Sequence, residues 1–121
     1  MAEYSQDDLR LIARVAEGVW FGRGNVDVAL SDRPVVYVVN GGFEGYVPDF
    51  LADDAAALGL LVKLAADKPI SGWGVIWDGD DYLCDICVDG VVIALEHAPD
   101  YRRAIVLAVA SLLPQAEPSD A

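Results

Sequence analysis

The chain has 121 residues, 55% of them hydrophobic, and sets eight Lys and Arg against twenty Asp and Glu for a formal net charge of −12. That length holds one domain whose core can stand without disulfides or structural metal, and two cysteines are too few for a disulfide framework. The charge repels nucleic acid and favours basic protein surfaces; no apolar run approaches the roughly 20 residues of a membrane helix, so a cytoplasmic protein with no direct nucleic-acid or membrane contact is expected.

Ser5 with Asp7 and Asp8 forms a helix-start signal, and Leu9, Ile12, Ala13 and Ala16 recur at helical spacing, predicting a helix over about 6–17 with Gly18 as its stop. Gly22 and Gly24 keep the chain irregular beyond it. Val26, Val28 and Leu30 alternate with Asp27 and Ala29, and 35–39 is a β-branched run, which predicts two short antiparallel strands joined by a turn at 31–34. Asn40, Gly41, Gly42 and Gly45 make 40–48 an ordered loop carrying the aromatics Phe43 and Tyr46. Asp49, Asp53 and Asp54 precede a second helix over about 52–66, with Ala57, Leu60, Leu61 and Leu64 on one face and Pro69 beyond its end.

Three strands follow, over 73–77, 82–88 and 91–96, joined by Asp78-Gly79-Asp80-Asp81 and by the hairpin pair Asp89-Gly90. The last of them, Val91 to Leu95, has no polar face, which predicts cover on both sides. Pro99 and Asp100 open a final helix through Ile105, Ala108, Val109 and Leu112, stopped by Pro114, and a polar tail occupies 114–121. The expected fold is α+β in the order αββαβββα, a mostly antiparallel sheet of about five strands between helical layers, in one domain over 1–113.

The charge is a block: twelve of the twenty carboxylates lie between Glu44 and Asp100, where only Lys63 and Lys68 oppose them, giving −10. Asp49, Asp53 and Asp54 answer to a helix start and Asp89 to a hairpin. Asp78, Asp80, Asp81 and Asp85 are left, with Glu44 as a neighbour, as the candidate partner-binding surface; Phe43 and Tyr46 are a candidate aromatic contact.

No constellation identifies a reaction. Cys84 and Cys87 have redox or zinc spacing but sit three apart in a strand, on opposite faces, without the helix N-terminus or the four-ligand knuckle those chemistries use. The aspartate turn fails as a calcium loop because Leu83 occupies the glycine place and Asp89 the bidentate glutamate place. His97, the single histidine, reads as a local hydrogen-bonding residue, and no serine or glycine motif marks a hydrolase or a nucleotide site. No catalytic residue, metal or cofactor is expected. Arg102 and Arg103 oppose the dipole of the final helix, which calls for compensating carboxylates such as Asp100 or Glu96.

Tyr4-Ser5 before a helix with Ala13-Arg14-Val15-Ala16-Glu17, then Tyr46-Val47-Pro48 before Ala52-Asp53-Asp54-Ala55, a strand at Trp73-Gly74-Val75 and a proline-led helix with Arg103-Ala104-Ile105-Val106 follow one another in an order that resembles the small phage proteins of the NinX-like group and the related phage α/β/α-sandwich domain. Asp49-Phe50-Leu51 departs from that group's polar cysteine-and-asparagine stretch, and the closing helix has one extra residue. The resemblance implies a phage accessory protein with α/β/α layers and carries over no catalytic residue. With the acidic block it suggests stoichiometric binding to a basic protein surface, such as that of a nucleic-acid-handling host defence complex, in the manner of a CRISPR inhibitor. The alternatives are a homo-oligomeric assembly protein and a small ion-dependent enzyme built on the aspartate turn.

Overall fold

The computed structural model describes residues 4–21, 26–29, 36–39 and 42–113, with only the backbone path given for 26–29, 36–39, 42–44, 46 and 67. The turn at 31–34, the glycines Gly22 and Gly24 and the tail 114–121 lie outside the described residues. Helix α1, Gln6–Val15, starts where the sequence signal places it: the Ser5 hydroxyl accepts from the Asp8 amide and Asp7 and Asp8 occupy the first turn. It does not stop at Gly18. The chain continues as a π-turn over Ala16–Trp20, closed by the Phe21 amide donating to the Ala16 carbonyl at 2.9 Å.

Close packing, rather than a chain stop, accounts for Gly18: a Cβ there would meet the Leu113 side chain at 2.8 Å. The π-turn also delivers Trp20 onto the second helix, where a Cβ on Gly59 would lie 2.9 Å from the indole ring. Trp20 meets Phe50 edge-on at 5.3 Å, and Lys63 Nζ lies 5.0 Å over its ring.

Six strands are described, forming two antiparallel sheets of three. The first holds β1, Val26–Ala29, β2, Val36–Val39, and β3, Gly42–Tyr46, in that order, with β1 beside the π-turn. Strand β3 corrects the expectation of a loop at 40–48. The residues between Val39 and its partner Gly42 are Asn40 and Gly41, the pair that most favours a two-residue hairpin, and Glu44 is the extra residue of a bulge opposite Tyr37 and Val38. Of the glycines that suggest a loop, Gly42 and Gly45 lie in β3, Gly45 next to the bulge, a usual place for a strand glycine.

Helix α2, Asp54–Asp67, is capped by Asp53, which accepts from the Ala56 amide. The second sheet is the meander β4, Gly72–Trp77, β5, Tyr82–Val88, and β6, Val91–Ala98. Its β5–β6 hairpin turns through Asp89 and Gly90, both at positive φ, as the Asp-Gly pair predicts. Helix α3, Tyr101–Ser111, starts at an Asp100 cap that accepts from the Arg102 and Arg103 amides. Both arginines are answered: Arg102 pairs with Asp100 at 2.8 Å, and Arg103 crosses to Asp8 of α1 through two hydrogen bonds of 2.8 and 3.1 Å. Asp8, not Glu96, is the second compensating carboxylate.

Helix α3 is the centre of the molecule. Ala104, Ile105, Val106, Ala108, Val109 and Ala110 are all buried, a helix apolar on every side, packed against β5 and β6 and against α1 and α2. From β5 and β6, Cys84, Ile86, Ala94 and Ala98 close this core. The expectation of one sheet of about five strands, enclosed between helices, therefore differs from the described arrangement: the β4–β6 sheet rests on α3, and α1 and α2 pack on that helix.

Candidate functional site

Alternation along the strands and the register between them define the two faces of the β4–β6 sheet. Tyr82, Cys84 and Ile86 of β5, with Ala94 and Ala98 of β6, point toward α3. The outer face is built of three cross-strand rows: Ile76, Leu83 and His97; Gly74, Asp85 and Leu95; Gly72, Cys87 and Val92. Ile76, Val92 and Leu95 each keep 50% of their surface exposed. A β-bulge at Ile86/Cys87 inserts Ile93, itself 43% exposed, into β6.

This corrects the inference from the apolar run Val91 to Leu95 that both faces of β6 are covered. The helices supply cover on one face only, so the run marks an apolar surface instead of a second buried layer. Sequence reasoning missed that surface although its signal was present: outward positions of all three strands carry apolar residues where a wet sheet face carries polar ones.

At one end of this face stands the aspartate turn. Asp78 Oδ1 accepts from the Asp80 and Asp81 amides at 3.2 Å each, the Asp78 amide donates to the Asp81 carbonyl at 3.1 Å, and Gly79 takes a φ of +105° that few other residues adopt. The amides of Asp81 and Asp80 hold the Asp78 carboxyl below its usual range. His97 on β6 faces the turn, with Nδ1 3.3 Å from Asp81 Oδ1 and 3.7 Å from Asp78 Oδ2. One ligand atom from each of Asp78, Asp81 and His97 lies within 4.8 Å of the others. A nitrogen and two carboxylates suit a transition-metal ion better than calcium, which takes six to eight oxygens.

The four aspartates singled out in the sequence thus divide. Asp78, Asp80 and Asp81 crowd the turn, whereas Asp85 stands alone in the middle of the outer face, its carboxylate oxygen 3.1 Å from where a Cβ on Gly74 would be. Glu44, Phe43 and Tyr46 belong to β3 in the other sheet, and their side chains are outside the described residues. Asp49, Asp53 and Asp54 have structural partners: the Tyr4 hydroxyl donates to Asp49 at 2.9 Å, Asp53 caps α2, and Asp54 accepts from the Tyr101 hydroxyl and pairs with Arg102.

The cysteines behave as strand residues. Cys84 is fully buried, and burial pushes its thiol up to about 12, far from a nucleophilic thiolate; Cys87 is half-buried on the outer face. Ser71 sits at the opposite end of the sheet from His97, donating to the Cys87 carbonyl. The aromatic chain Trp77, Tyr82 and Tyr101, with ring centroids 4.9 and 5.5 Å apart, stacks along the helix-facing side, where edge strand β4 leaves Trp77 55% exposed.

Comparison with protein-family models, with curated proteins and with solved structures finds no match. The resemblance to the phage group rests on the residues quoted for it. No helix among the described residues is long and apolar enough to cross a membrane.

Proposed function

We propose that the protein acts by stoichiometric protein binding, with the outer face of β4–β6 as the apolar contact and the turn at Asp78, Asp80 and Asp81 as its electrostatic guide. One observation carries this reading: Ile76, Val92 and Leu95 are half exposed on neighbouring rows of one sheet face, beside three exposed or half-exposed aspartates. Single exposed apolar residues are ordinary, but a contiguous patch with a charged rim is the usual form of an interaction surface. A bound partner would supply the second layer that an α/β/α sandwich draws from its own chain. The phage resemblance and the acidic charge together favour a basic, nucleic-acid-handling complex of the host as that partner.

The test is affinity capture from the organism that carries the protein, using the native chain and a bait with Asp78, Asp80 and Asp81 reversed to lysine, followed by titration of the captured protein. Affinity should fall about tenfold between 50 and 300 mM salt and comparably on charge reversal, through slower association. An affinity indifferent to both would refute the electrostatic part of the reading, and capture of no protein would refute the whole.

A further inference from the structure

The outer face of β4–β6 is not uniformly apolar: His97 stands at its end beside the aspartate turn and Asp85 in its middle, and Asp85 specifies what fits it. Asp85 stands in the middle row of the central strand, between Gly74 and Leu95, with Leu83 and Cys87 on either side along β5. Among the described residues no hydrogen-bond donor or cation reaches its carboxylate. The side chain leans toward Gly74, and Gly72, two residues earlier on the same edge strand, has open space where a Cβ would stand. The Asp85 carboxylate thus lies over Gly74, and the bare backbone at Gly72 leaves a shallow gap beside it at the β4 edge.

A layer that covered this face with apolar groups alone would strip water from Asp85 and leave the charge unpaired, which is costly. A second copy docked face to face about a two-fold axis through the middle row would bring two Asp85 carboxylates together, in addition to two chains of net charge −12. Both occupants conflict with the residue at the centre. A cation on a long aliphatic stem does not: its methylenes lie over Gly72 while its head reaches the carboxylate over Gly74.

Building on the proposed binding role, we infer that the outer face takes a protein surface of aliphatic residues with one lysine or arginine among them, the cationic side chain lying over the gap at Gly72 to pair with Asp85. The turn at Asp78 to Asp81 guides the approach; Asp85 selects what docks.

The test uses the full chain, isotopically labelled, and three synthetic peptides, Thr-Ile-Thr-X-Thr-Ile-Thr, with X lysine, norleucine or glutamate, followed by amide-shift titration. The lysine peptide should saturably shift Gly74, Asp85 and Leu95 and bind at least about threefold tighter than the norleucine peptide, and the glutamate peptide should bind weakest. Asp85→Asn should abolish the lysine preference while leaving norleucine binding intact, and Gly72→Val, which fills the gap, should weaken the lysine peptide most. Equal binding of lysine and norleucine, a lysine preference that survives Asp85→Asn, or no saturable shift at this face would overturn the inference. So would a dimer in light scattering that Leu95→Glu disperses, since a second copy would then cover the face. Charge reversal at Asp78, Asp80 and Asp81 tests guidance separately, so a partner affinity unchanged by the reversal and by salt, with lysine selection intact, would sink the electrostatic half of the proposed function alone.

Discussion

At Gly59 the fold depends on the absence of a side chain. A Cβ there would lie 2.9 Å from the Trp20 ring, and the ring is held between Phe50 and Lys63, so it has little room to retreat. Gly59→Ala should therefore destabilise the protein by about 1–3 kcal/mol through overpacking, even though alanine is the better helix former in isolation. Urea denaturation measures it; a stabilised variant would mean that the indole moves freely. Neither this role nor that of Gly18 was legible in the sequence, because a glycine required by a neighbour across the core has the same letter as one that ends a helix. The Ser5 cap was legible for the opposite reason, since a cap is a local interaction between residues three apart, whereas Asp53, expected inside the second helix, is seen as a cap only in the structure.

Among the elements, α3 depends on α1 through Arg103 and Asp8, whose side chains meet in a two-bond, partly buried pair. The Arg103 hydrogen bonds hold the Asp8 carboxyl below its usual value, and Arg102 does the same for Asp100. Depressed carboxylates contribute stability that is present above the unfolded value near 3.9 and is lost as pH falls through the folded value. Acid unfolding should therefore begin below about pH 4, and Asp8→Asn should flatten that limb while costing about 1 kcal/mol or less at pH 7. The alkaline side has the opposite sign. Burial and the Asp49 carboxylate raise Tyr4 to about 12, so its contribution is present below about pH 10 and lost as pH rises from there toward 12. Thermal unfolding across pH reads both limbs, and an acid limb unchanged in Asp8→Asn would show that the pair is not coupled to folding.

For the whole molecule, a net charge of −12 on 121 residues means self-repulsion in the folded state, which salt screens. Raising sodium chloride from 20 to 300 mM should increase Tm by a few degrees while weakening capture of a basic partner, so salt acts in opposite directions on stability and on binding. A Tm that falls with salt would indicate that pairs such as Arg103 with Asp8 outweigh the repulsion.

At the same scale, the sequence by itself determined nearly every element within a few residues, the cap at Ser5, the Asp89-Gly90 hairpin and the aspartate turn, because each rests on periodicity or on contacts within a few positions. Only the tertiary structure decided how the elements are layered. The apolar run of β6 reads the same whether its outer face meets a helix or stands open, and the helical pattern of α3 does not reveal that two strands and two helices converge on it. Those outcomes depend on which distant surfaces meet, and they turn Asp85 from one member of a charge block into the single carboxylate at the centre of an open face.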